Sequence, residues 1–428
     1  MTARRFTIVL VTIVLVGVGL RVGFLAAAAK PLPEPGDAMA YHLLAEGLAG
    51  GDGYVRPYDR VEGRIIPTAE YGPAYPFVLS VATRAGVDTT WGQRYLGAVL
   101  GGLSIALTGF AGRRIASSLA GLVASALLAA SPLVVQHDTA LLTEGLAVVA
   151  AAALLLAAAS HVDRPGPLAA AGVGAIIGAA ALVRADALLL VPLVGVPVVV
   201  AATFRRQGGR AAAVHGAAVV AGVVVIAAPW GVRNASRLDA NVGLSTNTAT
   251  VIAGANCDDT YDGSLLGYWR FGPGCFEGYS TEDLVASGEA AVARSHMDRG
   301  LSYIGDNLGR LPSVVGARVL RVWGAWDVDQ LAFLAGLEGK SARWERWGIV
   351  AGWFTSLLAI VGIARIAIGR VRRPVMAMLL AGPLVAVTVS AALTYGNVRF
   401  RAGAEPALAV AAAIAITRLA GRLRARLT

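Results

Sequence analysis

The sequence contains a series of long apolar runs, and their length limits what the chain can fold into. Each run has about 20 residues, the number that an α-helix needs to cross a hydrocarbon layer about 30 Å thick. The runs lie near residues 6–28, 92–111, 116–135, 139–160, 166–183, 186–203, 211–229, 347–368, 375–394 and 406–420. We therefore predict an all-α membrane protein with about ten transmembrane helices.

The overall composition excludes a water-soluble domain. Hydrophobic residues make up 56% of the 428 positions and charged residues only 15%, so the surface of a soluble fold would be largely apolar. The net charge of +10 does not indicate nucleic-acid binding, because the basic residues occur in short segments between the runs. The first run is longer than the core of a signal peptide and carries Arg21, so we interpret it as an anchor.

Arginines recur in every second loop between the runs, and such loops face the cytoplasm of membrane proteins. Both termini are then cytoplasmic in a multi-pass plasma-membrane protein. The stretch 166–203 allows two crossings or a re-entrant pair, since only Arg184 and Asp186 interrupt it. The arginines used for this orientation are Arg4, Arg5, Arg113, Arg114, Arg164, Arg205, Arg206, Arg210, Arg365, Arg370, Arg372, Arg373, Arg418, Arg422, Arg424 and Arg426.

This orientation leaves two long segments outside the cytoplasm, residues 29–91 and 230–346. We expect residues 1–229 to contain seven transmembrane helices and the first outer segment, and residues 347–428 to contain the last three helices. Within the second outer segment, residues 281–336 combine polar and apolar faces. They predict helices that lie along the membrane interface, with tryptophans at headgroup depth. These tryptophans are Trp323, Trp326, Trp344 and Trp347.

The second outer segment also holds both cysteines of the chain, Cys257 and Cys275. Disulfides persist outside the cytoplasm, so we predict that the two residues pair. Two free thiols are the alternative. A metal site with two ligands is disfavoured, because zinc sites use four ligands, or three and a water.

An aspartate opens the first outer segment where the chain leaves the membrane. Asp37 precedes the helical stretch AMAYHLLAEGLAG, and two roles fit this position. As a helix cap, its carboxylate would accept hydrogen bonds from the first amides. As a general base, it would stand at the boundary between water and lipid, within reach of a hydroxyl group.

The motifs around Asp37 resemble those of the GT-C glycosyltransferases, which are polytopic membrane enzymes. The chain reads Asp-x-x-x-Tyr-x-x-x-Ala-x-x-Leu-x-x-Gly from Asp37, then Gly53-Tyr54, then Pro-Thr-Ala-x-x-x-Pro-x-Tyr-Pro from Pro67. This order is most similar to the branch that contains the protein O-mannosyltransferases and the lipid A aminoarabinose transferase. The mannosyltransferases commonly have two adjacent acids here, whereas Ala38 follows Asp37, a departure that counts against protein mannosylation.

Later segments resemble the same family in the same order. Residues 137–144 look like its second acidic loop, and residues 182–186 look like its Leu-x-Arg-Pro-x turn. Residues 229–234 are similar to its Pro-Trp-x-x-Arg-Asn motif, and residues 395–406 to the Arg-Tyr-Arg-x-x-x-Pro element before the last helix. The resemblance therefore covers nearly the whole chain.

The resemblance implies a membrane glycosyltransferase with a sugar linked to polyprenyl phosphate as donor. The acceptor would be a hydroxyl group of an envelope glycan, lipid or protein on the extracytoplasmic side, and the anomeric centre would invert. Asp37 is the candidate base, with Glu144 and Asp138 as further catalytic candidates. Glu144 has Arg184 as a candidate partner, because an unpaired carboxylate near lipid is costly. The membrane lipids are further partners, nucleic acid is not expected, and the oligomeric state is open.

As the phosphate leaves the sugar, its negative charge grows and has to be stabilised by positive charge. The planar guanidinium group of arginine supplies this charge in bidentate form. The candidates for this role are Arg399, Arg401, Arg233, Arg56 and Arg64, with Arg60 as a further choice. The alternative for each is a headgroup contact. The candidates for substrate binding are Glu34, Tyr41, Tyr71 and Tyr75.

No cofactor is required by the sequence. Glu34, Asp37 and Asp138 together offer oxygen ligands for Mg²⁺ or Mn²⁺, although their spacing does not demand a metal. His42 and His137 lie beside the expected site, and we leave both outside the catalytic set.

A transporter or flippase of lipid-linked envelope precursors is the main alternative to an enzyme, since such proteins also carry acids and arginines inside helical bundles. The hydropathy pattern shows no inverted repeat of the kind that many transporters have. A catalytically silent lipid-binding or assembly protein is a further alternative if Asp37 only caps a helix.

Overall fold

The computed structural model describes residues 1–278, 280–368 and 372–427, which fold into helices joined by short loops. The predicted apolar runs are largely helical, with run 116–135 divided between two helices, which confirms the all-α membrane architecture. The helices of the runs are α1 (Ala3–Ala27), α5 (Thr90–Ile115), α6 (Ser118–Ala130), α7 (Pro132–Thr139), α8 (Glu144–Asp163), α9 (Pro167–Val183), α10 (Val196–Gln207), α11 (Gly209–Arg237), α18 (Ala342–Ala367), α19 (Arg372–Leu393) and α20 (Glu405–Leu427).

Within the described residues, seven helices are long and apolar enough to cross a membrane, and the pair α6–α7 makes an eighth if it forms one bent span. The bend between α6 and α7 is 64° and falls at Ser131-Pro132, where proline lacks the amide that would continue the helix. The Ser131 hydroxyl instead caps α7 by accepting a hydrogen bond from the Val134 amide. Helix α9 is a shorter apolar helix of 17 residues, at the lower limit for a crossing.

The stretch 166–203 contains two helical segments that meet at Arg184, whose backbone is extended. The second segment, Ala185–Gln207, is long and apolar enough to span. Helix α9 packs closely against α11. A Cβ atom on Gly174 would lie 1.9 Å from the Val219 carbonyl oxygen, and one on Gly222 would lie 2.2 Å from the Ala171 carbonyl oxygen. Small residues thus allow the two backbones to touch, as they do in many membrane helix pairs.

The two outer segments are largely helical. The first contains α2 (Asp37–Gly50), α3 (Pro57–Val61) and α4 (Ala74–Arg84). Cys257 and Cys275 of the second form a disulfide, as predicted. The helices of the second segment are α12 (Asn247–Ala255), α13 (Asp258–Tyr261), α14 (Thr281–Ser287), α15 (Glu289–Asp306), α16 (Leu311–Val322) and α17 (Val328–Leu337).

The predicted tryptophans serve different contacts. The half-buried Trp323 donates a 3.1 Å hydrogen bond to the Thr388 hydroxyl and so fixes the end of α16 to α19, whereas Trp344 packs 4.7 Å from the ring of Phe24 in α1. Their depth in a membrane stays a prediction, as does the division at residues 229 and 346. Among the arginines used for orientation, Arg370 lies outside the described residues, as do the side chains of Arg372, Arg373, Arg422, Arg424 and Arg426.

Candidate active site

A cavity of about 820 Å³ lies where the two outer segments meet the ends of the transmembrane helices. Its lining contains both charged side chains and aromatic rings. The charged side chains that line the cavity are Asp37, Glu70, Glu144, Arg184, Asp186, Arg270, Glu338 and Arg399. A concave site with a few converging polar groups is the usual form of a small-molecule site.

Asp37 faces this cavity from the first turn of α2. The chain reaches the helix through Pro33 and Pro35, and Tyr58 holds this approach by hydrogen bonds to the backbone N–H (2.8 Å) and C=O (2.9 Å) of Gly36. Gly36 occupies the N-cap position of α2. The Asp37 carboxylate, which is 42% exposed, accepts hydrogen bonds from the guanidinium of Arg399. The structure therefore does not support the capping role, because the carboxylate turns toward the cavity.

The guanidinium of Arg399 is surrounded by carboxylates from three other parts of the chain. Its nitrogens lie 3.5 Å from Asp37, 3.4 Å from Glu144 and 3.6 Å from an oxygen of Glu338. Hydrogen bonds between ionised partners are normally 2.7–2.9 Å long. The N–H donors of Arg399 are therefore held in place by charge without being tightly engaged.

Arg184 is a second cation next to Arg399. Both guanidinium groups lie 3.4 Å from the same Glu144 oxygen, and both lie over the ring of Phe400, at 4.6 Å and 5.9 Å from its centroid. Asp186 also pairs with Arg184, at 3.3 Å. Two guanidinium groups at this spacing form a binding surface for an anion such as phosphate.

A sharp turn brings Glu144 into this position. Leu141 has a positive φ of 55°, a left-handed conformation that is uncommon outside glycine, and it is fully buried. The chain therefore reverses between α7 and α8, and Glu144 becomes the first residue of α8 at the cavity wall.

Asn397 connects Arg399 to the second outer segment. Its side-chain amide donates hydrogen bonds to Glu338 (3.0 Å) and to the Tyr268 hydroxyl (3.1 Å), and its side-chain oxygen accepts one from the Arg399 amide. Burial alone would raise the pKa of Glu338, but Lys340 and Arg399 lower it to about 2. Glu338 is thus ionised at neutral pH and contributes to the charge around Arg399.

Two other carboxyl groups of the cavity bind protons more tightly than usual. Partial desolvation inside the cavity raises the pKa of Asp37 above its ordinary value, although Arg399 acts in the opposite direction. Burial also raises the pKa of Glu70, to about 7, even with Arg56 beside it. A carboxylate with a raised pKa is a stronger base, which suits proton removal near neutral pH.

Aromatic side chains also line the cavity. We call Tyr268, Trp269, Phe271 and Phe276 the aromatic wall; all four line the cavity and come from one loop of the second outer segment. Trp269 lies 5.8 Å from Phe276 and 6.4 Å from Tyr395 between ring centroids. In the first outer segment, Tyr41 and Tyr71 also line the cavity, with their rings 5.2 Å apart.

The structure separates two of the predicted site residues from the cavity. Asp138 lies inside the bundle, where it forms a 2.6 Å ion pair with Arg21 and both side chains are fully buried. Arg401 points away from the cavity and pairs with Glu405 at 3.1 Å, also without exposure. Arg399 and Arg401 diverge because the 3₁₀-helix Val398–Gly403 turns them to different sides. Neither Asp138 nor Arg401 lines the cavity, so their catalytic and phosphate-binding roles stay predictions that this placement does not favour.

Three further predicted arginines hold the outer segments together. Arg233 donates to the carbonyl oxygens of Thr68 (2.6 Å) and Tyr54 (2.7 Å). Arg56 and Arg64 both pair with Asp59, at 3.0 Å. None of these three guanidinium groups lines the cavity, and their charges are used by the loops themselves. Their phosphate-binding role stays a prediction that these contacts do not favour.

Two predicted substrate-binding residues also lie away from the cavity lining. Glu34 is exposed on the outside of the first segment, and Tyr75 is buried behind Tyr41, with ring centroids 5.3 Å apart. Tyr75 supports the position of Tyr41 from behind, whereas Tyr41 and Tyr71 remain available to a ligand.

The predicted metal ligands are not brought together. Asp138 is bound to Arg21, and among the described residues no group of three or more His, Cys, Asp or Glu side chains is placed to hold a metal ion. The three carboxylates that do converge enclose the Arg399 guanidinium. His42 contacts Gln93 at 3.0 Å, and His137 is buried inside the bundle.

Sequence reasoning missed Glu338, Glu70 and the aromatic wall. Glu338 belongs to the Glu-Gly-Lys stretch just before an apolar run. Charges next to a predicted membrane helix could have indicated a candidate site residue. The aromatic wall comes from Tyr-Trp-Arg-Phe and a further phenylalanine beside the second cysteine. This concentration of aromatic residues in an outer loop is also visible in the sequence, but whether the rings face the cavity depends on how the loop folds.

Comparisons with known proteins agree with this architecture. The family described as dolichyl-phosphate-mannose-protein mannosyltransferase matches residues 70–231, and no curated protein sequence matches the chain. The archaeal oligosaccharyltransferase AglB from Archaeoglobus fulgidus, in complex with an inhibitory peptide and a dolichol-phosphate, superposes with a TM-score of 0.54 at 15% identity over 98% of this chain and 51% of that one. The apo form of the Archaeoglobus fulgidus enzyme gives a TM-score of 0.56 at 16% identity, over 99% and 51%.

ArnT from Cupriavidus metallidurans in the apo state has 18% identity and a TM-score of 0.42, over 97% of this chain and 76% of that one. The chain spans about half the length of the oligosaccharyltransferases that it matches. At these identities the likeness concerns the fold.

Proposed function

The chain has the GT-C fold of membrane glycosyltransferases, and from this premise we propose that it transfers a sugar from a polyprenyl-phosphate donor to a hydroxyl group of an envelope acceptor. The observation that carries the proposal is the contact between Asp37 and Arg399 in the cavity wall. This contact supports the proposal because the reaction needs a base and a phosphate-binding group side by side.

Asp37 is the proposed general base. Its carboxylate takes the proton of the acceptor hydroxyl while that oxygen attacks the anomeric carbon from the side opposite the phosphate. The bond between the anomeric carbon and the phosphate oxygen breaks, the phosphate keeps the electron pair, and the configuration inverts. The raised pKa of Asp37 supports this role, because it brings the basicity closer to neutral pH.

Arg399 and Arg184 are the proposed phosphate-binding residues. Negative charge grows on the phosphate as the bond breaks, and two fixed guanidinium groups stabilise it without reorganisation. Glu144 lies 3.4 Å from both guanidinium groups, and we propose that it fixes the distance between them. The description of the matched family names a dolichyl-phosphate sugar, and the AglB structure contains a dolichol-phosphate, which supports a lipid-phosphate donor.

We further propose that the cavity faces the extracytoplasmic side of the membrane and that both termini are cytoplasmic. The arginines of the alternate loops support this sidedness. The disulfide between Cys257 and Cys275 agrees with it, because disulfides persist outside the cytoplasm.

Transfer by the purified protein tests the proposal. The protein is incubated with radiolabelled polyprenyl-phosphate sugars and extracted envelope material, and the products are separated into glycan, lipid and protein fractions. Label is expected to move into one fraction, with release of polyprenyl phosphate in equal amount, and Asp37→Asn is expected to slow this transfer about 10²- to 10⁴-fold. Passage of intact donor across vesicle membranes without a new glycosidic product would instead favour a transporter or flippase.

A further inference from the structure

We infer that the aromatic wall is a binding subsite for a neutral oligosaccharide, so that the acceptor of this chain is a glycan. The inference rests on the proposed function, because it names the acceptor class of the same cavity. The aromatic wall lies in the cavity with the ionic cluster of Asp37, Arg184 and Arg399. A ligand on the rings therefore shares one chamber with a donor phosphate on the guanidinium groups.

The ring of Trp269 is held in a fixed position. Its indole N–H donates to the Thr250 carbonyl oxygen at 3.2 Å. A Cβ atom on Gly254 would lie 2.1 Å from that same nitrogen, so a glycine at this position makes room for the indole. A rigid ring binds a partner at a small entropic cost.

The loop that carries the other rings is also braced. The Cys257–Cys275 disulfide closes it, and the Gly272 amide donates to the Phe276 carbonyl oxygen at 2.7 Å. Phe271 packs 5.8 Å from Phe276 and yet keeps 62% of its surface exposed. A rigid loop thus presents an uncovered ring to the cavity, an arrangement that favours ligand binding.

The surroundings of the rings match the chemistry of a sugar. A pyranose has a flat face of C–H groups and a rim of hydroxyl groups, so it is complementary to ring faces bordered by short polar side chains. Ser245, Asn247 and Thr248 line the same cavity. Arg321 lies over the Tyr268 ring at 5.6 Å from its centroid, but it is fully buried and donates to the Leu266 and Gln330 oxygens. Arg270 is paired with Asp259 at 2.8 Å. This pairing leaves a subsite suited to an uncharged ligand.

A peptide acceptor fits this surface less well. Extended peptides bind by adding to backbone edges, whereas two backbone amides beside the rings are already bonded to the second outer segment itself. The Arg270 amide donates to Gly254, and the Gly272 amide to Phe276. The aromatic wall therefore offers ring faces where a peptide would require free backbone groups.

Oligosaccharide binding is measured separately from sugar transfer. Neutral oligosaccharides of three to four sugars, released by partial hydrolysis of envelope polysaccharide, are titrated by calorimetry into the full-length protein, with a peptide of eight residues containing Ser and Thr as the contrast. The oligosaccharide pool is expected to bind saturably. Phe271→Ala is expected to weaken this binding about tenfold, the size of one lost aromatic contact.

Phe333→Ala is the matched control, because Phe333 is also 62% exposed and lies in the same outer segment without lining the cavity. It is expected to leave binding unchanged. Trp269→Phe keeps a ring and is expected to bind more tightly than Trp269→Ala. Absence of oligosaccharide binding, equal effects of the Phe271 and Phe333 variants, or preferential binding of the peptide would each overturn the inference.

The same preparation separates this inference from the proposed function. Asp37→Asn is expected to bind the oligosaccharides normally while transferring sugar about 10²- to 10⁴-fold more slowly. Glycan binding by a protein that never transfers would refute the transferase alone. Transfer to a protein or lipid fraction, without glycan binding, would refute the glycan subsite alone.

Discussion

The Arg399 guanidinium and the Asp37 carboxylate are 362 positions apart in the chain and 3.5 Å apart in space. In this arrangement each restrains the other, because the ion pair occupies donors that a phosphate would use and an acceptor that a hydroxyl proton would use. A donor phosphate that binds Arg399 competes with Asp37. We therefore expect donor binding to free the base for the acceptor.

Asp37→Asn tests the base directly. Asparagine keeps the size of the side chain but cannot take a proton, so the turnover number is expected to fall about 10²- to 10⁴-fold. The thermal unfolding temperature is expected to stay close to that of the parent protein, because the carboxylate faces the cavity. Transfer kinetics and unfolding scans on the same preparation measure both. Unchanged turnover would remove Asp37 from the mechanism.

Arg399 and Arg401 form a matched pair for the phosphate role. Arg399→Gln is expected to raise the KM for the donor at least tenfold, because a charge-assisted contact is lost. Arg401→Gln breaks a buried pair with Glu405 and is expected to cost about 3–5 kcal/mol of stability, with little change in donor KM for the folded fraction. Donor titrations and unfolding measurements separate the two effects. Equal KM changes in both variants would contradict the assignment.

The pH dependence of the rate provides a test in which two variants are expected to shift the acid limb in opposite directions. Asp37 must be ionised to act, so the rate is expected to fall as the pH drops through its raised pKa. Negative charge on Glu338 raises that pKa and positive charge on Arg399 lowers it. In profiles of kcat/KM, Glu338→Gln is therefore expected to move the acid limb to lower pH, and Arg399→Gln to higher pH.

Glu70 supplies the control for these profiles, because its pKa of about 7 could place a second inflection in the same range. An inflection that disappears in Glu70→Gln belongs to Glu70. If both the Glu338 and Arg399 variants shifted the remaining limb in one direction, the assignment of that limb to Asp37 would be wrong.

Removal of the disulfide is expected to affect stability and acceptor binding together. The bond closes a loop across a sequence separation of 18, for which chain entropy predicts about 3 kcal/mol of stabilisation. A variant with serine at both Cys257 and Cys275 is expected to unfold at a lower temperature and to show a higher acceptor KM, with an unchanged donor KM. Reductant is expected to reproduce these changes in the parent protein and to leave the variant unaffected.

Asp138→Asn distinguishes a structural role from a catalytic one. The change leaves the Arg21 charge buried without its partner, which is expected to cost about 3–5 kcal/mol. Folded yield in detergent is expected to drop, while turnover per folded molecule stays the same because Asp138 does not line the cavity. Active-site titration alongside size-exclusion yield checks this. Normal yield with lost turnover would restore Asp138 to the site.

The transmembrane helices and the prominence of Asp37 and Arg399 could be predicted because they depend on local patterns. Run length identifies a membrane helix, and a motif places an acid or an arginine next to one. Arg399 and Arg401 share one motif, however, and only the 3₁₀ turn between them decides which guanidinium enters the cavity. Backbone geometry of that kind is not encoded in spacing.

Asp138 is a second case in which the motif did not predict where the side chain lies. Its motif pairs it with Glu144, but the sharp turn at Leu141 sends the two carboxylates to different places. Glu338 and the aromatic wall could not be assigned from the sequence for a related reason. Their contacts join the second outer segment to residues 395–400, and such long-range packing depends on the tertiary fold.

Glu289 has a consequence for how substrates can enter. It is almost fully buried, accepts hydrogen bonds from the Ala69 amide and the Thr246 hydroxyl, and pairs with Arg56. Arg233 also bonds to Thr68 and Tyr54. Glu289 and Arg233 therefore hold the first and second outer segments together. Moving either segment alone would break these buried contacts of Glu289, so we expect the two outer segments to move together when the entrance to the cavity widens.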